Sequence, residues 1–475
     1  MCSPAWPVGR RPPASHWQNR TGTAPVRILL VSHRYLPHSK GGVETFTDTL
    51  ARGLTQLGYC TAILARDCRG LDSPFSWQRI ESKGQTVYWL RHQLSAARSF
   101  RDSWRDPRLL APLQEIFAAF APEIVHLNHP DGWGVLPLEL ARHHNLLSGA
   151  TLHDYKWLCP RGQMLQPSGE RCETAEEMRC ARCVHAQLDG GPARTLARLL
   201  APSDLLHWAA RNGSAGRPAD SAPSRIARQR LRIRNIALME SLRACDVVAS
   251  PSRFVADRYQ KEGLQRHVEI IKNGLLLPDQ QSRDQTVWPF GCAPQRVDAG
   301  RPLTVGFFGN AHQSKGLALL REALVALPKG SVLLHVHGSG GDLPGPFIKH
   351  HGAYRRDQIP ALLQGIDVVA IPSIWDENQP MVALEARACR KALLVSDLGG
   401  LPELVEPGVD GWIVPGSDPE SWAERLATLA ARPQLCSEAG LKSTPPYDAE
   451  SMAAAYLRAY GASDLGSRVD ASPTC

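Results

Sequence analysis

The chain of 475 residues predicts an α/β protein built from two doubly wound domains, and three observations carry that expectation. Its length exceeds what one ordinary core fills, so two domains of roughly 150 to 250 residues are expected. The order strand, glycine-containing loop, amphipathic helix, strand appears from residue 26 and begins again at residue 302. Between the two runs lies a polar stretch with Pro and Gly, residues 278–300, that reads as a linker. A content of 43% apolar and 21% charged residues describes a globular chain, and no run of about 18 apolar residues offers a membrane span.

Residues 1–25 are rich in Pro, Arg, Ser and Gly, contain no apolar core of a signal peptide, and read as a disordered leader. VRILLVS (Val26 to Ser32) is a short apolar run expected as a buried strand. It passes through HRYLPHSKGG to a helix from about Val43, on which Phe46, Leu50, Leu54 and Leu57 share one face. CTAILA follows as the second strand. Gly41 and Gly42, at the helix entrance, would let an anionic ligand approach backbone N–H groups. EIVHLN and GATLHD read as later parallel strands ending in polar residues. Ligands of such sheets bind beyond the carboxyl ends of the strands, which makes His126, Asn128, His153 and Asp154 cleft candidates, with His153 foremost.

An insertion over residues 159–235 carries two features. Cys159, Cys172, Cys180 and Cys183 follow the pattern C-x12-C-x7-C-x2-C. Four thiolates so spaced can close a tetrahedral structural zinc site; free thiols or a conditional disulfide are the other readings. The remaining cysteines are scattered, as suits a reducing cytoplasm. Residues 188–235 then hold nine Arg against three Asp, much of the net charge of +8. Within them ARTLARLLA and SRIARQRLRIRN read as helical patches, the second with Arg225, Arg228 and Arg232 on one face and Arg230 and Arg234 on another. This face suits an anionic membrane or anionic acceptor, or is merely solvated. ACDVVASPSRFVADRY and VEIIKNGL close the first domain with two more strand signals, giving it residues 26–277.

The second domain, residues 301–445, opens with the strand PLTVGFFGN and the loop AHQSKG, where Lys315 stands before a helix from Leu317 to about Leu327. A lysine there would bring charge to a phosphate at the helix N-terminus. SVLLHVHG leads into the glycine loop GSGGDLPG, beginning at Gly338. The stretch WDENQPMVALEA places Glu377 in the loop before a helix start at Pro380 and Glu385 about two turns further on. Taken alone, the two carboxylates suggest a general acid and base. GGLPELV and a helix from about Pro419 to Ala431 follow, then a last helical patch within residues 446–462 and a polar tail, residues 463–475.

Five segments together resemble the retaining GT-B glycosyltransferases of glycosyltransferase family 4: LLVSHRYLPHSKGGVETFTDTLARGLTQLGY, TLHD, SPSRFVADRY with IKNG, FFGNAHQSKG, and PSIWDENQPMVALEARACRKALLVSDLGGLPELVEPGVDGWIV. The most specific is the last, with two glutamates separated by seven residues and then a GG-x-PE-x-V turn. The resemblance implies two Rossmann-like domains facing a cleft, with the C-terminal helix crossing back to the first. It implies that Lys315 contacts the diphosphate of a sugar nucleotide, that Glu385 holds the ribose hydroxyls and that Glu377 lies at the transferred sugar. Gly338, Asn310 and the backbone of Asn378, Gln379, Pro380 and Met381 join the donor site, and His153 with Gly41 and Gly42 would close over the donor from the other domain. No metal is implied for catalysis, and the sequence has no Asp-x-Asp where one would hold a diphosphate.

Two departures from the family pattern stand out. Asn310 occupies a position that is commonly Arg, which removes a charge that His312, Arg355 or Arg356 would have to supply; the Asn-Gly-x-Asp after the first domain is IKNGLLLP. The expected function is transfer of a sugar from a nucleotide-diphosphate donor to a glycan or lipid-linked acceptor with retention, in surface polysaccharide assembly, by a cytoplasmic protein peripheral on the inner membrane face, with no nucleic-acid partner. The alternatives are another GT-B enzyme, such as a sugar-nucleotide epimerase, and a non-catalytic sugar-nucleotide-binding scaffold.

Overall fold

A computed structural model describes residues 25–69, 73–92, 99–166, 168–177, 179–181, 183, 222–276, 300–340 and 345–462. The expected leader up to residue 24, the patch ARTLARLLA, residues 278–299 of the linker and the tail from residue 463 lie outside them. The chain divides into two compact units. One comprises the chain up to Pro251, Val255–Ile271 and the stretch from Ala449 onward; the other comprises Ser252–Phe254 and Lys272–Asp448.

In the first unit the elements run β1 (Arg27–Ser32), α1 (Gly42–Gln56), β2 (Cys60–Asp67), β3 (Trp77–Ser82), β4 (Gln85–Arg91), α2 (Leu110–Phe120), β5 (Ile124–Leu127), α3 (Leu136–His143), β6 (Leu147–Thr151), α4 (Ala222–Arg243), β7 (Val247–Ser250), α5 (Arg253–Lys261) and β8 (Glu269–Ile270). The sheet order is β3-β4-β2-β1-β5-β6-β7-β8, parallel throughout except for the β3-β4 hairpin. All eight residues of β2 are buried, as expected of a strand covered on both faces. The order reverses beside β1, where β2 and β5 flank it, so the chain ends of β1 and β5 open a crevice suited to ligands.

The second unit runs β9 (Gly274–Leu275), β10 (Leu303–Phe308), α6 (Leu317–Val325), β11 (Val332–His337), β12 (Ile348–Gly352), α7 (Ile359–Gln364), β13 (Val368–Ile371), α8 (Met381–Ala388), β14 (Ala392–Ser396), β15 (Gly411–Val414), α9 (Pro419–Ala431), α10 (Gln434–Lys442) and β16 (Tyr447–Asp448). Its six-stranded sheet, β12-β11-β10-β13-β14-β15, is parallel throughout, and β16 pairs with β9. The switch point lies between β10 and β13. α9 begins where the periodicity predicts, because the Asp418 carboxylate accepts from Glu420 N and Ser421 N and Pro419 occupies the first helical position.

The terminal helix α11 (Ala449–Ala459) belongs to the first unit, as the crossing-back expectation requires. Met452, Ala453 and Tyr456 share a core with Phe46 and Leu50 of α1. The two helices approach so closely that a Cβ on Gly53 would lie 2.1 Å from Ala449 O. Tyr59 Oη donates to Ala462 O at 2.6 Å, which fixes the end of the helix.

The structure corrects several boundaries. The first domain does not run to residue 277: the chain joins the second unit from Lys272, because Asn273 donates from its backbone N to Gln379 Oε1 at 2.6 Å and from Nδ2 to Gln379 O at 3.1 Å. The second unit ends at Asp448, three residues past the expected 445, because β16 pairs with β9. SRFVADRY is helix α5, with Val255, Ala256 and Tyr259 buried at helical spacing. Among the described residues eight cysteines form no disulfide, and Cys60 is disulfide-bonded, a departure from the all-reduced expectation at one position.

Candidate active site

The donor-side candidates gather at the carboxyl ends of β10, β11, β13 and β14. Lys315 reaches from the loop after β10 and donates from Nζ to Glu377 Oε1. Ser373 Oγ and Trp375 Nε1 donate to the same oxygen, each at 2.9 Å. Lys315 Nζ also sits 5.6 Å from the centre of the Trp375 ring. All three bonds fall on Oε1, which orients the carboxylate and leaves Oε2 with none among the described residues. The loops themselves are tied together, since Ile374 N donates to Ser314 O at 3.0 Å.

The GG-x-PE-x-V turn explains itself against this loop. Gly399 has φ +63°, and a Cβ there would lie 2.2 Å from Glu377 O; Gly400 N donates to Glu377 O at 2.7 Å. The turn therefore grips the backbone of the residue whose carboxylate Lys315 holds. Four residues after Glu377, α8 starts at Met381 with Pro380 as a cap in extended conformation that makes no side-chain cap hydrogen bond. Such an end is an electropositive site for an anion. Asn378 and Gln379 are buried, the latter through its bonds with Asn273.

Glu385, nearly buried on α8, accepts from Arg356 Nε at 2.8 Å. Burial pushes its carboxyl above the ordinary range against the opposing pull of Arg356. Arg355 pairs with Asp357 and His312 caps the Ser314 turn through Nδ1, so each cation expected to stand in for a charge at exposed Asn310 already has a partner. Gly338 follows β11, its N donating to Gly352 O at 2.7 Å. Beside it stand His335, His337 and His351, whose ligand nitrogens lie within 4.8 Å of one another. His351 stacks on His337 at 4.3 Å and 10° and on His335 at 4.9 Å and 21°. Lone pairs in nearly parallel rings do not converge on one ion, so this group does not have the form of a metal centre.

In the first unit, His153 follows β6 with its ring edge-on to Phe46 at 4.3 Å, and burial holds it neutral, its pKa pushed down to about 3. Its neighbour Asp154 accepts from His129 Nε2 at 3.0 Å; His129 Nδ1 accepts from Asp131 N, which places the histidine proton on Nε2. Asp131 in turn pairs with Arg66 and Lys156. At the entrance of α1, Gly41 and Gly42 carry no capping side chain, and the carboxylate lying against Gly41 is Glu44, held by Ser39 Oγ at 2.5 Å. His126 and Asn128 are not cleft residues. His126 is buried between Tyr460 and Thr151, at 2.7 Å from each, and Asn128 Nδ2 donates to Thr47 Oγ1 at 2.8 Å. Strand-end polarity in these two serves internal bonding.

The comparisons with known proteins bear on the family and the fold. The family described as "Glycosyl transferases group 1" matches residues 302–432, and the one described as "Glycosyltransferase Family 4" matches residues 40–187, together more than half of the chain. The chain belongs to the group 1, family 4 glycosyltransferases. Among sequence relatives of this family-4 chain, the D-inositol 3-phosphate glycosyltransferase of Mycolicibacterium vanbaalenii is 38% identical over 107 residues, 22% of this chain and 24% of that protein. The enzyme of the same name from Mycolicibacterium gilvum is 28% identical over 181 residues, 35% of this chain and 41% of that one. The alignments thus span less than half the length of these curated relatives. Two solved structures share the GT-B fold. Sucrose-phosphate synthase from Thermosynechococcus elongatus aligns with a TM-score of 0.59 and 17% identity over 93% of this chain and 97% of its own. Anabaena HepE in complex with UDP-glucose aligns with a TM-score of 0.53 and 14% identity over 93% and 98%.

For this glycosyltransferase family member, sequence reasoning found Lys315, Glu377, Glu385 and the helix start but missed what holds them. Ser373, Trp375 and Asn273 have no spacing signal linking them to Glu377 or Gln379, and Arg356 lies 29 positions from Glu385.

Proposed function

We propose that the protein transfers a sugar from a nucleotide-diphosphate donor, with retention and without a catalytic metal, to a glycan or lipid-linked acceptor in surface polysaccharide assembly at the cytoplasmic membrane face. The observation that carries this is the Lys315 to Glu377 pair set directly before the uncapped start of α8. Breaking the anomeric C–O bond places charge on the departing diphosphate and leaves an oxocarbenium-like sugar. Lys315 and the N–H groups of α8 suit the first, and Oε2 of Glu377 suits the second. Glu385, on the helix body and accepting from Arg356, would take the ribose hydroxyls. The named activity of the relatives and the UDP-glucose bound by the Anabaena protein support the donor class.

Helix α4 supports a membrane-facing acceptor. Ile226, Ile233 and Ile236 are about half exposed on one side, with Arg225, Arg230 and Arg232 exposed around them, a face suited to an anionic lipid surface. Arg234 is not part of it: its guanidinium is buried and donates to Lys156 O at 2.5 Å. Among the described residues no helix is long and apolar enough to cross a membrane.

The test is a thermal-shift screen of UDP-, GDP- and ADP-sugars followed by transfer assays with glycan, lipid-linked and inositol phosphate acceptors. Glu377→Gln is expected to keep donor binding and to lose transfer by about 100-fold or more. A wild-type protein that binds donors but never turns one over would favour the scaffold reading, for which the uncharged, exposed Asn310 is the supporting observation.

A further inference from the structure

The insertion after β6 contains a feature that sugar transfer does not use. Cys159, Cys172, Cys180 and Cys183 line a single cavity, together with Arg161 and Arg179, and all four thiols are free. We propose that this cavity is a tetrathiolate site for one structural zinc ion, which staples residues 155–183 against α4 and α5.

Three observations support it. The first is convergence: the four cysteines, spread over 25 positions of sequence, are brought to one place by a tight turn, a bridge and a short helical segment. Cys159 N donates to Tyr155 O at 2.6 Å, Cys172 N to Met164 O at 2.7 Å beside the Leu165–Arg171 bridge, and Cys180 N to Glu176 O at 2.9 Å. The second is uneven packing: on the Cys180 side the buried apolar cluster is small, Cys180 and Ala181 with Ala227 and Leu231 of α4 and Phe100 beside them, whereas Tyr155, Trp157, Leu158, Met164 and Leu165 bury the Cys159 side, so a shared ion would tie the thinly packed arm to the well-packed one. The third is charge. A zinc ion with four thiolates carries a net charge of about −2, and the surroundings are cationic. Arg161 and Arg179 line the cavity, Arg234 is buried behind it, and Arg258 Nη2 donates to Cys172 O at 2.5 Å. Arg179 and Arg258 have carboxylate partners in Glu176 and Glu262, at 3.6 Å each, so among the described residues the cations left to balance the centre are Arg161 and the buried Arg234.

Zinc has a preference for four sulfur ligands at about 2.3 Å in tetrahedral order. Among the described residues His335, His337 and His351 are the group of three or more whose ligand atoms already lie within 4.8 Å of one another, and the four thiols are not yet so close. The thiols must therefore draw inward onto the ion, and the metal would act by closing the two arms of the insertion. What it would stiffen is close to the candidate site, since Cys159 lies six residues after His153 and Arg234 holds Lys156 O. With no position left open on the ion, its part is structural. The inference is independent of the donor chemistry.

The test uses the full chain, purified in reducing buffer without added metal. Elemental analysis is expected to give about one zinc per chain. Cobalt(II) exchanged into the site should show thiolate-to-metal charge transfer with the strong visible bands of tetrahedral coordination. Four thiols should resist a thiol reagent until a chelator is added, and the chelator should lower the unfolding temperature. Cys183→Ser is expected to weaken zinc retention at least tenfold, while Cys389→Ser, at a buried thiol elsewhere, leaves it unchanged. Should Cys183→Ser not fold, the wild-type stoichiometry and cobalt spectrum decide alone. Zinc well below one equivalent, thiols that react fully before chelation, or disulfides among these four in the reduced preparation would each overturn the proposal.

Discussion

Lys315 donates to the same oxygen of Glu377 that Ser373 and Trp375 hold, so a lysine from the loop after β10 and a glutamate from the loop after β13 are locked into one unit across the switch point of the sheet. The Glu377 side chain is 7% exposed and that of Lys315 is 32% exposed, so the cation is the more exposed member of the pair. Lys315→Met is expected to reduce transfer by roughly 100- to 1,000-fold, the range for losing one donor to a developing charge. Single-turnover rates beside donor affinity measured by calorimetry check this; a loss confined to affinity would remove Lys315 from the transition state.

Gly399 and Gly408 provide a matched pair. Both have positive φ, +63° and +77°, but an added Cβ meets Glu377 O at 2.2 Å in the first and nothing within 4 Å in the second. Gly408→Ala should cost only backbone strain, about 1 to 2 kcal/mol. Gly399→Ala should cost more and also displace Glu377, abolishing transfer. Urea unfolding and activity of the two variants, compared side by side, test the assignment.

Arg356 and Glu385 couple stability to pH. Burial raises the Glu385 pKa in the folded chain, so its contribution to stability is full below the unfolded value and is lost as pH rises through the folded one. Arg356→Leu removes the opposing pull and should raise that pKa further. Because the Arg356 side chain is 34% exposed, solvent screens the pair, and the expected cost at pH 8 is about 1 to 2 kcal/mol rather than the larger figure for a fully buried pair. The penalty should shrink toward pH 4 and be largely absent in a Glu385→Gln background, as denaturant titrations at the two pH values would show.

His126 makes the opposite prediction. Buried at 1% exposure between Tyr460 and Thr151, its pKa is pushed down to about 3 by desolvation. A depressed folded pKa gives stability that is complete above about 6.5 and declines as pH falls, by about 1.4 kcal/mol at pH 5.5 for a single such residue. His153, His92 and His337 are lowered in the same direction and add to the wild-type slope. His126→Gln should flatten that slope by about one proton in this range. An unchanged slope would mean that the imidazole is already charged in the fold.

Tyr460→Phe tests the return of the C-terminal helix. It removes the Tyr460 Oη partner of His126 Nδ1 without changing the shape of the ring, and the expected cost is about 1 to 2 kcal/mol. Calorimetry should show the loss in unfolding of the first unit, to which α11 belongs.

The sequence by itself determined the α/β class, the two sheets and the identity of the central acids. Apolar runs such as RILLVS and LTVGFF read as covered strands, Phe46, Leu50 and Leu54 read as one helix face, and Pro419 after Asp418 marks a helix start, as the structure has them. These signals are local, set by the period of the backbone and the solubility of side chains. The tertiary structure decided the pairings. His126 and Asn128 have the same strand-end signature as His153, yet they turn inward, because Tyr460 and Thr47 reach them from distant elements. Arg234 carries the same charge as Arg232 but lies on the buried side of α4. Glu377 is set by Lys315 and Gly399, and Glu385 by Arg356, through hydrogen bonds and close contacts between positions far apart in the chain. Such contacts follow from the order of strands in the sheet, and strand order is decided by packing over the whole unit, to which no local pattern of residues gives access.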